Sequence, residues 1–178
     1  MIRTFFKLKT WCAVLLAFIG LQACGQDNYG YVVKVGDMAP DFETTTPSGE
    51  KVKLSDLKGK VVMLQFTASW CSVCRKEMPH IEADIWQKHK NNPNFALYGI
   101  DLDEPADKVE AFARQIPVSY LLLLDPEGGI FYKYAEKGAG VTRNVIIDKE
   151  GKIVFLTRLF KQEEFDAMKA VIDRLLTE

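Results

Sequence analysis

The stretch "VVMLQFTASWCSVCRKEMP", Val61 to Pro79, decides how the rest of this chain is read. Val61 to Thr67 is a continuous apolar run, the pattern of a strand buried on both faces. Two cysteines follow directly, and behind them Met78, Ile81 and Ile85 fall on one helical face, which predicts a helix to about Lys90. Cys71 therefore stands where a strand ends and a helix begins. Free backbone N–H groups and the positive end of the helix dipole favour an anion there, so a thiolate at Cys71 is stabilised. Cys74 lies one turn further on the same face, within reach of a disulfide. That order makes Cys71 the attacking sulfur and Cys74 the resolving one. Pro79 removes a hydrogen bond inside the helix and predicts a kink.

Outward from this stretch the chain alternates. "FALYGID" (Phe95 to Asp101) reads as a second buried strand, and Pro105 opens a helix with Val109, Phe112, Ala113 and Ile116 on one face. "SYLLLLD" (Ser119 to Asp125) is a further strand and "IFYKYA" (Ile130 to Ala135) one or two helical turns. "NVIID" and "KIVFL" around the turn "KEG" form a hairpin, and a last helix carries Phe165, Met168, Ile172 and Leu175 on a stripe. The expected fold is α/β: a central mixed β-sheet, parallel in its β-α-β part, flanked by helices on both faces.

Composition excludes several classes. The 178 residues are 48% hydrophobic and 26% charged with a net charge of −1, a globular composition without the basic stripe that nucleic-acid binding needs. One CxxC supplies two metal ligands where a structural zinc site takes four, and His80 and His89 are the only histidines, so no metal is expected. A single pair in the body is too sparse for a disulfide-stapled scaffold.

The N-terminus is a separate unit. Arg3, Lys7 and Lys9 precede the apolar run Trp11 to Leu21, too short to cross a bilayer comfortably and shaped like a secretory signal. The Ala23-Cys24 junction resembles the bacterial lipoprotein box, which implies cleavage before Cys24 and lipid on its sulfur. Residues 1–24 are then a signal peptide with Cys12 inert inside it, 25–31 a tether, and 32–178 the domain. The mature chain keeps 20 Lys and Arg against 24 Asp and Glu, a net charge of −4.

"GDMAPDF", "LKGKVV", "SWCSVCRKEMP" and "VIIDKEGKIV", in this order, resemble the thioredoxin superfamily, and within it the extracytoplasmic TlpA/ResA-type thiol-disulfide oxidoreductases. The resemblance implies a thioredoxin fold and exchange at the Cys71–Cys74 disulfide, with no other cofactor. Its partners would be protein thiols and disulfides and a membrane electron donor, and the direction it favours is reduction. It also implies a carboxylate beside the cysteines at Glu77, whose charge holds the thiol pKa up. Trp70 would pack beside the sulfurs. The family's cis-proline falls on Thr142, so Val141 and Thr142 would face the cysteines where a substrate backbone docks, with the bond before Thr142 either trans or strained. Arg143 beside them reads as a surface cation, with the steering of an anionic partner as the alternative. "GDMAPDF" and "LKGK" also resemble peroxiredoxins, whose Pro-x-x-x-Thr-x-x-Cys fits neither cysteine: Leu64 and Ala68 precede Cys71, and Thr67 and Cys71 precede Cys74.

Overall fold

The computed structural model describes residues 29–178. The expected signal peptide, with Cys12 and Cys24, and most of the expected tether lie outside the described residues. Among the described residues no helix is long and apolar enough to cross a membrane.

The continuous apolar runs become the middle of one sheet. β3 (Val61–Thr67) is buried at every position and pairs in parallel with β4 (Phe95–Leu102), which pairs in parallel with β5 (Leu121–Asp125). On its other side β3 pairs antiparallel with β6 (Arg143–Ile147), and β6 with β7 (Ile153–Arg158). The order is β5-β4-β3-β6-β7. A small antiparallel pair, β1 (Glu43–Thr45) and β2 (Lys51–Lys53), precedes it.

Both crossovers from β3 to β5 run the same way across the sheet, and right-handed connections put their helices on one face. The first, α1 (Ser72–Ile81), continues through a π-turn (Glu82–Trp86) to His89, and the second is α2 (Ala106–Gln115). Pro79 lies within the regular α1, and the π-turn, one of the few recognised sources of a bend in a helix, begins three residues beyond it. The Arg75 guanidinium lies 4.8 Å over the Phe112 ring of α2. The last helix, α4 (Gln162–Thr177), joins the same layer, with Phe165 against His80 and Lys88 bridging to Asp173 at 2.7 Å. The opposite face is covered by a short helix, α3 (Phe131–Tyr134), whose Phe131 and Tyr134 rings both lie 5.4 Å from Phe66, and by the N-terminal segment. Helices therefore cover both faces, but unequally.

The sequence boundary of the tether needs moving. Tyr31, assigned to it, is 3% exposed and bridges Ala135. Its hydroxyl donates to the Thr157 carbonyl at 2.7 Å and the Asn144 carbonyl at 3.1 Å, so Tyr31 belongs to the fold.

Candidate active site

The parallel strands β3 and β4 end at the same edge, and the chain turns there through Ala68–Trp70 into α1. Cys71 is the N-cap of α1: its Sγ accepts the Cys74 N–H at 3.1 Å, satisfying one of the orphan donors of the first turn. Cys71 and Cys74 form a disulfide with their Cα atoms 5.3 Å apart. Cys71 is the more exposed of the two, at 7% against 0%. The donors that cap the sulfur in the disulfide would equally stabilise a Cys71 thiolate after reduction.

The Thr142 hydroxyl sits against both sulfurs, 3.2 Å from Cys71 Sγ and 3.3 Å from Cys74 Sγ. Its neighbour Val141 is 3% exposed. Every peptide bond among the described residues is trans, including the one before Thr142. Trp70 does not pack onto the sulfurs as expected. It is 63% exposed and stands out beside the disulfide, because the loop in front of Cys71 is held from behind: Arg75 Nε donates to the Ser69 carbonyl at 2.7 Å, and Ser69 N–H donates to Glu104 at 2.5 Å.

Glu77 is 1% exposed, one turn deeper than Cys74. It meets a row of polar residues lying side by side across the sheet: Gln65 on β3 opposite Asn144 on β6, and Asn144 opposite Thr157 on β7. Asn144 Nδ2 donates to Glu77 Oε1 at 2.7 Å and to Thr157 Oγ1 at 2.9 Å. Tyr120 Oη donates to Gln65 Oε1 at 2.7 Å, which turns the amide nitrogen of Gln65 toward Glu77. Burial pushes the Glu77 carboxyl up to about 7, and the Asn144 and Gln65 amides pull against that rise. The carboxyl can therefore hold or release a proton near neutral pH. Gly99, beside Gln65 on β4, leaves room chiefly for the Leu122 side chain, with the Tyr120 ring next to it. A Cβ there would stand 3.4 Å from Tyr120 Cε2 and 2.4 Å from Leu122 Cδ2.

Sequence reasoning missed a second acidic group under the same loop. Asp101, at the end of β4, is fully buried, and neither of its oxygens has a hydrogen-bond partner. Burial, with the adjoining Glu104 carboxylate, pushes its carboxyl up to about 8. Burial also raises Glu104, but Lys108 at 2.5 Å and the N–H and hydroxyl of Ser69 outweigh it and hold that carboxyl below its ordinary value. Gln65, Asn144 and Asp101 each carried one legible signal, a polar residue in a mostly apolar strand.

Arg143 is not a surface cation. It is 1% exposed, because β6 is buried at all five positions and alternation turns this side chain to the face away from α1. There its guanidinium lies 5.0 Å from the Tyr31 ring and 5.8 Å from the Phe131 ring, and donates to the Tyr29 carbonyl. His80 stacks on Phe160 at 4.9 Å. Among the described residues no group of three or more His, Cys, Asp or Glu is placed to hold a metal ion.

Known proteins resemble this chain in sequence and fold. The AhpC/TSA family matches residues 35–156, more than half of the chain. The thiol-disulfide oxidoreductase ResA of Bacillus thuringiensis subsp. konkukian is 32% identical over 147 residues, which cover 79% of this chain and 83% of that protein. The solution structure of a putative protein disulfide isomerase from Bacteroides thetaiotaomicron matches with a TM-score of 0.81 and 62% identity, over 84% of this chain and 94% of that one. A putative thiol:disulfide interchange protein DsbE from Chlorobium tepidum matches with a TM-score of 0.70 and 31% identity, over 81% and 99%. By this likeness the chain belongs to the AhpC/TSA family as a ResA-like thiol-disulfide oxidoreductase of the thioredoxin superfamily.

Proposed function

We propose that the chain works as a disulfide reductase, held by lipid on Cys24 at an extracytoplasmic membrane surface and kept reduced by a membrane-held dithiol donor. The observation that carries the direction is the buried carboxyl of Glu77 one turn from Cys74. A carboxylate there opposes a second anion, so it raises the cost of the thiolate pair. A dithiol that is not stabilised as thiolate is the stronger reductant. The basic segment, short apolar run and Ala23-Cys24 junction support the anchor.

In the reaction the Cys71 thiolate attacks one sulfur of the substrate disulfide, forming a mixed disulfide and expelling the other substrate sulfur as a thiolate, which takes up a proton. Glu77, as carboxylate one helical turn from Cys74, accepts the Cys74 proton. The Cys74 thiolate then attacks Cys71 Sγ, closing the Cys71–Cys74 disulfide and releasing the second substrate sulfur, which is protonated in turn. Two electrons and two protons pass to the substrate, and the donor's dithiol restores Cys71 and Cys74 while its own becomes a disulfide. Trp70, Val141 and Thr142 receive the substrate backbone, with the Thr142 hydroxyl donating to whichever sulfur carries charge.

Trapping and potentiometry test this. Cys74→Ser should accumulate a mixed disulfide with a protein partner, seen by intact mass in the membrane fraction, and Cys71→Ser should accumulate none. The Cys71–Cys74 couple should lie nearer thioredoxin, at about −270 mV, than DsbA, at about −120 mV. A potential near the latter value, or trapping by the Cys71 variant instead, sinks the assignment. Wild-type protein without lipid on Cys24 sinks the anchor alone.

A further inference from the structure

Arg143 and Arg158 are directly opposite each other in the β6–β7 ladder. Like charges in that position repel. Neither is in an ion pair among the described residues, and Arg143 Nε and Nη1 and Arg158 Nε are buried without a hydrogen-bond partner. The Tyr29 carbonyl that Arg143 holds is neutral, and the Glu136 carboxylate offsets only part of the charge. The two guanidiniums line an open basin of about 500 Å³ whose other walls include Lys137, Gly138 and Gly140. Three cations face one acid there, Glu136.

This basin adjoins the disulfide through the chain itself. Gly140 lines it, Val141 and Thr142 follow, and Thr142 touches both sulfurs. We propose that the basin is an oxyanion subsite that takes an acidic side chain of the protein substrate, a few residues from the cysteine undergoing exchange. The proposal rests on the reading above that proteins are the substrates. The occupying carboxylate meets Arg158 and Lys137 at the walls, with the Arg143 charge beneath. It adds to the partial counter-charge that Glu136 supplies, and fixes which way an extended substrate chain lies across Thr142. Substrates with Asp or Glu beside the disulfide are then preferred over those with Lys.

Two disulfide-bridged peptides, identical except for Asp or Lys three residues from one cysteine, test this with the full-length protein. Charge-assisted hydrogen bonds of this kind support a preference of about tenfold or more in kcat/KM for the Asp peptide. In Arg158→Gln, and independently in Lys137→Gln should the first variant fail to fold, the ratio should fall several-fold. Fluorescence anisotropy of the same peptides on oxidised protein reads the preference as a Kd ratio without turnover. Wild-type turnover of the neutral hydroxyethyl disulfide reports catalysis independently of the subsite. A wild-type ratio near one by both measures, or a ratio unmoved in the variants, overturns the proposal while leaving the exchange chemistry standing. Binding to phosphatidylglycerol vesicles that is lost in Arg158→Gln, with no peptide preference, would also overturn it and give the basin to lipid headgroups.

Discussion

Two buried acids flank the loop that carries the disulfide, and they are housed differently. Glu77 on the α1 side lies on a row of amides whose own orientations are fixed by hydroxyls: Tyr120 sets Gln65, and Thr157 sets Asn144. Asp101 on the β4 side is hydrogen-bonded to no amide, and the group acting on it most strongly is a second acid, Glu104, already engaged by Lys108 and Ser69. Amide donors solvate a carboxylate and leave it to titrate alone, whereas an acid beside an acid keeps its proton longer and titrates as a pair. The first arrangement suits a group that must change charge during exchange. The second suits one that stays protonated while its partner holds the loop through Ser69.

The largest expected effect is on stability against pH. Both carboxyls have folded pKa values above their unfolded ones, so their stabilising contribution is present at acid pH and lost as pH rises through about 7 for Glu77 and about 8 for Asp101. Asp101→Asn should gain on wild type most between pH 5 and pH 9, because the amide cannot ionise and can donate to Glu104. Glu77→Gln should gain less, ending nearer neutral pH. Its shift from 4.5 to about 7 corresponds to ~3 kcal/mol. Urea titrations at stepped pH measure this. Variant and wild-type curves that run parallel at every pH would show that neither acid is perturbed.

A smaller effect separates the two acids by role. Glu77→Gln should lower the apparent pKa of the reactive thiol in the reduced protein by about one unit, the size of a single nearby charge at protein dielectric. Asp101→Asn should leave it nearly in place. Alkylation rates across pH read both, and equal shifts would erase the distinction between the sites. The smallest effect tests the hydroxyl that sets Gln65. Tyr120→Phe should raise the Glu77 pKa by a fraction of a unit and cost about 1 kcal/mol. Carbon-13 titration of the Glu77 carboxyl would contradict this if the value fell.

How far this was legible in the sequence follows the same division. The apolar run 61–67, the helical stripes and the cysteine pair at a strand-to-helix junction carried the fold and the disulfide, because burial and periodicity leave local signatures. The carboxylate at 77 and the hydroxyl at 142 came from a family resemblance, and the structure brings Thr142 to the sulfurs from 68 residues beyond Cys74. Gln65, Asn144 and Asp101 were passed over because each sits in a run whose apolar neighbours dominate its reading. Their partners lie on other strands, and register is not written locally. Arg143 was misread for a related reason: a charged residue at a strand start reads as exposed until Tyr31 and Phe131 are known to close over it.

Gly99 carries a consequence for how this sequence can drift. Its missing side chain is occupied space, held by Leu122 and the Tyr120 ring. Alanine at 99 is admissible only after position 122 has shortened or turned aside. The order of substitutions is therefore constrained: shrinkage at 122 opens a path that a change at 99 cannot open first. A lineage that takes the two steps in reverse passes through an overpacked intermediate. Positions 99, 120, 122 and 65 should then change together across descendants of this chain, as one inherited block.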